Sequence, residues 1–86
     1  MIVYDTVVKT FCNMFEISED IATENADGNL FIKPFVIPAI GLLDFLLDLE
    51  DMFHISLADQ ISENDVCLTK IIELIERKDN AESGDH

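Results

Sequence analysis

The sequence predicts an all-α fold, a small four-helix bundle with three longer helices, one short helical turn and a long loop after the first helix. Apolar residues recur at three- and four-residue steps in three separate segments, which is the period of amphipathic helices. Only three Gly and two Pro occur among 86 residues, which suits helices better than a turn-rich β protein. The hydrophobic content of 49% is enough for a core, and the length allows one domain.

The first helix is predicted from about Ile2 to Phe15. Asp5, Lys9 and Asn13 fall mostly on its polar side. The apolar side consists of Val3, Val7, Val8, Phe11, Cys12 and Phe15. Because β-branched residues lower helix propensity, we expect packing rather than propensity to stabilise this helix.

A loop of about twenty residues is expected from Glu16 to Ile37, where the helical period stops. Its first half is polar, and its second half contains apolar residues that we expect to pack onto the core. These residues are Leu30, Phe31, Phe35 and Ile37. The segment from Asn25 to Asn29 resembles part of a calcium-binding loop, but the required register places Thr23 first and Pro34 last, where two carboxylates belong. Local turn chemistry is therefore predicted there instead of a metal site.

The second helix is predicted from Ala39 to Phe53. Its apolar ridge consists of Leu42, Leu46, Leu49 and Phe53, with Leu43 and Leu47 beside it. Asp44, Asp48 and Asp51 follow at four- and three-residue steps and so form one acidic stripe. Like charges at this spacing cost an isolated helix about 0.2–0.5 kcal/mol per pair. The stripe therefore indicates either an external basic partner or a solvated face, and both interpretations stay open.

A short helical turn is expected after the second helix, from Ala58 to Glu63, with Ile61 pointing inward. His54, which precedes it, has no companion for metal binding or catalysis and is expected on the surface near a helix C-terminus.

The last helix is predicted from about Val66 to Arg77, with Asn64 or Asp65 as its N-cap. Its inner face consists of Leu68, Ile71, Ile72 and Ile75, with Leu74 at the margin. The following residues, 79–86, include no apolar residue beyond Ala81. We therefore expect one helical domain over residues 1–78 and a mobile polar tail after it.

The charge of the chain is strongly negative, because five basic and eighteen acidic residues give a formal net charge of −13. From Pro34 to Thr69 there are seven acidic residues and no Lys or Arg. Nucleic acid phosphates and anionic membranes repel such a surface, so neither is expected as a partner. Basic patches on partner proteins fit it better, and repulsion between copies favours a monomer.

The cysteines and the apolar segments favour a cytoplasmic protein. Cys12 and Cys67 lie far apart without a CxxC pair, which is typical of reduced thiols in a reducing compartment. The first residues lack the basic region of a signal peptide. The longest apolar run, Phe35 to Leu43, is too short to span a bilayer.

Enzymatic activity is not expected from these residues. The sequence contains no nucleotide-binding glycine motif and no paired catalytic groups. Its carboxylates fall on exposed stripes rather than beside partners in a cleft, so general acid–base catalysis by them is not predicted.

The order of elements, together with the residues from Pro38 to Ile75, resembles the acyl carrier protein family and its D-alanyl and peptidyl carrier relatives. The family motif is Asp-Ser followed by Leu, Met or Ile, and then a helix rich in acidic and aliphatic residues that ends in Phe. The present chain reads Pro38-Ala39-Ile40-Gly41 and continues into the acidic helix that ends at Phe53. Further likeness lies in Asn29-Leu30-Phe31, in Leu57 and in the inner face of the last helix.

The resemblance implies a carrier fold whose serine hydroxyl attacks the pyrophosphate of coenzyme A and so receives a 4'-phosphopantetheine arm. The thiol of that arm carries an acyl or aminoacyl thioester in fatty acid or secondary metabolite biosynthesis. In this sequence the attachment position is Ala39, which has no hydroxyl, and Pro38 replaces the usual acidic residue. No cofactor is therefore expected on the chain as written, and phosphopantetheine is expected only if the native residue at position 39 is Ser.

The resemblance also implies docking of the acidic helix on basic patches of a synthase, ligase or transferase of a carrier pathway. The implied partner-binding residues are Ile40, Asp44, Asp48, Glu50 and Asp51. Three interpretations stay open. In the first, Ala39 replaces the native serine of a working carrier. In the second, the chain is a natural carrier-like protein that binds without an arm. In the third, it is an unrelated small acidic helical interaction or regulatory protein.

Overall fold

The computed structural model describes residues 3–84, and the side chains of residues 3–78. All regular secondary structure in this part of the chain is helical, with no strand, which confirms the predicted all-α bundle. Its elements are α1 (Val3–Phe15), α2 (Glu19–Glu24), α3 (Ala39–Phe53), a 3-10 turn (Ala58–Gln60) and α4 (Leu68–Gly84). The predicted bounds of α1 and α3 agree with the structure to within one residue.

Helix α1 is the centre of the bundle, because it packs against each of the other three helices. Its predicted apolar face is confirmed, since five of the six residues are buried and Phe15 is half-buried against the core. The ring of Phe11 lies 5.1–5.4 Å, centroid to centroid, from the rings of Phe15, Phe35 and Phe45. These tilted and edge-on contacts join α1 to α3 and to the segment before α3.

The buried side of α3 differs from the predicted ridge. Leu42, Leu46 and Leu49 are buried as expected, but Phe45 joins them and is fully buried. Leu43 and Leu47, which were expected beside the ridge, are about half exposed at 47% and 48%. Because α3 carries apolar residues on nearly all sides, its sequence period alone did not define which arc faces the core.

The predicted long loop contains a helix that the sequence pattern did not reveal. Ser18 is the N-cap of α2, and its Oγ accepts a hydrogen bond from the N–H of Ile21 at 3.3 Å. Asn25 ends the helix, donating from both its main-chain N–H and its side-chain amide to the carbonyl of Ile21. The helix has six residues and buries only Ala22, so it leaves no apolar period to detect.

The segment after α2 is joined to the beginning of α4 by hydrogen bonds. Thr69 donates from its N–H to the carbonyl of Ala26 (3.0 Å) and from its hydroxyl to the carboxylate of Asp27 (2.6 Å). Asn29 donates from its amide to the carbonyl of Glu63 (3.0 Å). The expected packing is confirmed for Leu30, Phe35 and Ile37, which are buried, and for Phe31, which is half-buried against the core.

Helix α4 begins two residues later than predicted and extends further. Cys67 precedes it, accepting hydrogen bonds from the N–H of Lys70 on its sulfur (3.4 Å) and from the N–H of Ile71 on its carbonyl (3.1 Å). The N-cap is therefore Cys67 and not Asn64 or Asp65, which lie in a separate turn. The predicted inner face is buried, and Leu74 is buried with it.

The backbone of α4 remains helical to Gly84, beyond the end predicted at Arg77. The predicted polar tail of residues 79–86 therefore overlaps the helix, and its last two residues, Asp85 and His86, lie outside the described residues.

The exit from α3 follows the prediction in outline. His54 is exposed and ends the helix in the left-handed region at φ 58°. The helical turn is a single 3-10 turn, shorter than the predicted span to Glu63. Ile61, which follows it, is half-buried against the core.

Candidate docking surface

The outer side of α3 presents an exposed apolar row, defined here as Ile40, Leu43 and Leu47. Ile40 is 77% exposed, which is the highest value among the large apolar residues of the described side chains. The three residues recur at three- and four-residue steps and so lie on one side of the helix, opposite the buried residues. A grouped apolar row of this kind marks an interaction surface more often than scattered exposed residues do.

The acidic stripe of Asp44, Asp48 and Asp51 runs beside the apolar row. All three side chains are exposed, and like the residues of the apolar row they follow one another at steps of three and four residues. Exposed apolar side chains and negative charges therefore lie on the same outer face of one helix. Such a face complements an apolar groove bordered by Lys or Arg side chains.

Glu50 differs from the other predicted docking residues. It is half-buried, and one oxygen of its carboxylate accepts hydrogen bonds from the N–H groups of Leu57 (2.6 Å) and Ala58 (2.9 Å). The bond from Ala58, followed by that from Leu57, lowers the pKa of the Glu50 carboxyl from its ordinary value. This carboxylate is engaged within the chain, so it organises the exit from α3 rather than extending the stripe.

The junction that begins α3 is open to solvent. Pro38 is the N-cap in an extended conformation, and its carbonyl accepts a hydrogen bond from the N–H of Leu42 at 2.9 Å. Ala39 is the first residue of the helix and is exposed, as is Ile40 after it. Between Ile37 and Leu43 no side chain carries a hydroxyl, a thiol or an amine. The junction as written therefore does not fit the covalent attachment of phosphopantetheine.

Gly41 sets the distance between this junction and α1. A Cβ atom at position 41 would lie 3.2 Å from Cε1 of Phe15, which is tighter than ordinary van der Waals contact. Glycine therefore lets the last turn of α1 approach the first turn of α3. The sequence pattern does not reveal this role of Gly41, because only the tertiary contact shows it.

Two further exposed residues, Ile32 and Val36, lie shortly before α3 and were not predicted as site residues. Each is 60% exposed, although their neighbours Phe35 and Ile37 are buried. Because Phe35, Val36 and Ile37 are all apolar, the sequence has no apolar/polar alternation that could have indicated an outward Val36.

The described residues contain no group of three or more His, Cys, Asp or Glu side chains that could hold a metal ion. Cys12 and Cys67 are both free thiols. Burial, followed by the nearby charge of Glu19, raises the pKa of the Cys12 thiol and so disfavours its thiolate. Within residues 3–84, no helix combines the length and the apolar character needed to cross a membrane.

Comparison with protein families, with curated proteins and with solved structures finds no match to this chain.

Proposed function

We propose that this chain is an acyl-carrier-like protein that docks on partner enzymes through the outer face of α3. The observation that carries the proposal is the position of the exposed apolar row and acidic stripe on one helix that starts at Ala39. The carrier resemblance in the sequence assigns arm attachment to that residue and docking to that helix.

The charge distribution supports a basic partner. Between Pro34 and Thr69 there are seven acidic residues and no Lys or Arg, so the field around α3 is negative throughout. Such a field accelerates encounter with a positive patch, while the apolar row supplies area that is buried in the complex. The proposed partners are a synthase, ligase or transferase of a carrier pathway in the cytoplasm, and the proposed state of the free chain is a monomer.

Because Ala39 stands at the attachment position, the proposal has two forms, which differ in the native residue at position 39. In one, the native protein has Ser at position 39 and works as a carrier. In the other, the chain is a natural binding protein that uses the docking face without an arm, and Pro38 favours this form because it is a second departure at the same junction.

The first experiment restores the hydroxyl. Ala39→Ser protein is incubated with coenzyme A and a broad-specificity phosphopantetheinyl transferase, and the intact mass is measured. We expect the variant to gain one phosphopantetheine group, because the junction is exposed at the start of a helix.

The unaltered chain is the matched control, since it already contains exposed Ser18 and Ser56 and is expected to gain no mass. If a folded Ala39→Ser variant gains no mass, the result counts against a working carrier. The form of the proposal in which the chain binds without an arm would then remain.

A further inference from the structure

The segment just before α3 exposes a turn of residues 32–36, here called the apolar turn after Ile32 and Val36, although Lys33 in it is also exposed. Its side chains Ile32 and Val36 are each 60% exposed. The carbonyl of Ile32 accepts hydrogen bonds from the N–H groups of Phe35 (3.0 Å) and Val36 (2.9 Å). The two exposed side chains therefore belong to one hydrogen-bonded turn.

Buried residues hold both ends of the apolar turn in place. Leu30 before it is fully buried, and Ile37 after it is 5% exposed. The N–H of Leu30 donates to the carbonyl of Val66 (3.0 Å), and the N–H of Ile37 donates to the carbonyl of Leu30 (2.9 Å). The outward position of Ile32 and Val36 is thus built into the fold.

The backbone of Val36 is strained. Its φ of 47° lies in the left-handed region, which a β-branched residue adopts rarely and at a cost that Gly or Asn avoids. Glu16 and His54 also have positive φ, but each follows the end of a helix and has a polar side chain. Strained backbone of this kind clusters at binding and switch regions, so the exposed Val36 is a candidate contact for a partner.

The apolar turn lies close to the docking face along the chain. Val36 precedes Ile40 by four residues, so their Cα atoms are at most about 14 Å apart. Between them only Ile37 is buried, while Pro38 and Ala39 are exposed. The face from Ile40 to Asp51 is about 17 Å long. Both lengths are within the span of a standard interface, which covers about 800 Å² per partner.

We infer that the apolar turn and the outer face of α3 bind the same partner, a protein with an apolar groove bordered by Lys and Arg side chains. This inference rests on the proposed function and adds a second contact to it. Charge complementarity selects the occupant, because the acidic stripe attracts basic groups. A second copy of the chain would bring another formal charge of −13 to the same surface.

The test uses a synthetic amphipathic helical peptide with a leucine face bordered by lysines. Its affinity for the unaltered chain and its variants is measured by isothermal titration calorimetry at several salt concentrations. The turn variant carries Ile32→Ser and Val36→Asn, and Asn accepts the left-handed conformation, so this variant is expected to fold. The charge variant carries Asp44→Asn and Asp48→Asn.

We expect the turn variant to bind the peptide about tenfold more weakly with an unchanged salt dependence, because it loses only apolar contacts. The charge variant should bind more weakly and with a smaller salt dependence. Ile21→Ser is the matched control, since Ile21 is 41% exposed on α2, and it should bind like the unaltered chain.

Unchanged affinity of the turn variant, with weaker binding by the charge variant, would overturn this inference and leave the proposed function standing. An equal loss with Ile21→Ser would also overturn it, because the effect would then not be specific to the turn. No binding by the unaltered chain, or no loss in any variant, would overturn both.

Discussion

Glu50 accepts hydrogen bonds on both its main-chain and its side-chain oxygens. Its carbonyl accepts from the N–H groups of His54 and Ile55, and its carboxylate accepts from those of Leu57 and Ala58. One residue therefore satisfies four N–H donors in the segment that leaves α3. A carboxylate suits this position because an ionised acceptor forms stronger hydrogen bonds than a neutral one.

Replacing this charge tests its role in stability. We expect Glu50→Gln to lower the melting temperature at neutral pH, since a neutral amide oxygen accepts these two hydrogen bonds less strongly. The folded-state pKa of Glu50 is lowered, so its contribution is present above the unfolded-state pKa and is lost as the pH falls through the folded-state pKa.

The measurement is thermal unfolding of both proteins by circular dichroism across a pH series. The difference between the two melting temperatures should shrink as the pH is lowered. Asp51→Asn is the control, because Asp51 is exposed. A difference that stays constant with pH would show that the Glu50 charge is not what holds the segment.

At the scale of the element, α3 combines an exposed face that suits binding with a charge pattern that does not suit the isolated helix. Asp48 lies four residues after Asp44 and three before Asp51, so it takes part in two repulsive pairs. The stripe is therefore expected to lower stability slightly while it favours a basic partner.

This conflict predicts opposite effects of one substitution. Asp48→Lys should raise the free energy of unfolding by about 1–2 kcal/mol, because it replaces two repulsive pairs with two attractive ones. It should also weaken binding of the leucine–lysine peptide by reversing a charge in the docking face. Urea denaturation and calorimetry measure the two effects separately.

Asp59→Lys in the 3-10 turn makes the same change in net charge and is the control. It should leave peptide binding unchanged. If the Asp48→Lys variant binds the peptide as tightly as the unaltered chain, the acidic stripe is only a solvated face and not a docking surface.

At the scale of the whole molecule, the fold balances an apolar core against charge repulsion. The aromatic group around Phe11 joins three parts of the chain, while the formal net charge of −13 favours expansion. Repulsion between exposed charges is screened beyond about 10 Å at 0.1 M salt.

We therefore expect sodium chloride to stabilise the protein. Raising its concentration from about 10 mM to about 0.5 M should raise the melting temperature by several degrees through screening. Calorimetry of the unaltered chain and of Asp59→Lys provides the comparison, and the variant with fewer negative charges should gain less. A melting temperature that falls with salt would mean that attractive pairs outweigh repulsion.

The sequence by itself determined the fold class, the bounds of α1 and α3 and the apolar face of α1. These features depend on residues three and four apart, so the repeat of apolar positions reports them directly. The acidic stripe was equally visible, because identical charges on one helix need no tertiary contact to be placed. The composition also showed that α3 lies in a span without Lys or Arg.

Only the tertiary structure decided which side of α3 is buried, because that depends on the elements packed against it. Phe45 faces the Phe11 ring, while Leu43 and Leu47 remain exposed. The same reason applies to Glu50, whose carboxylate bonds to N–H groups seven and eight residues away. Contacts between residues distant along the chain leave no local period, so the sequence pattern does not contain them.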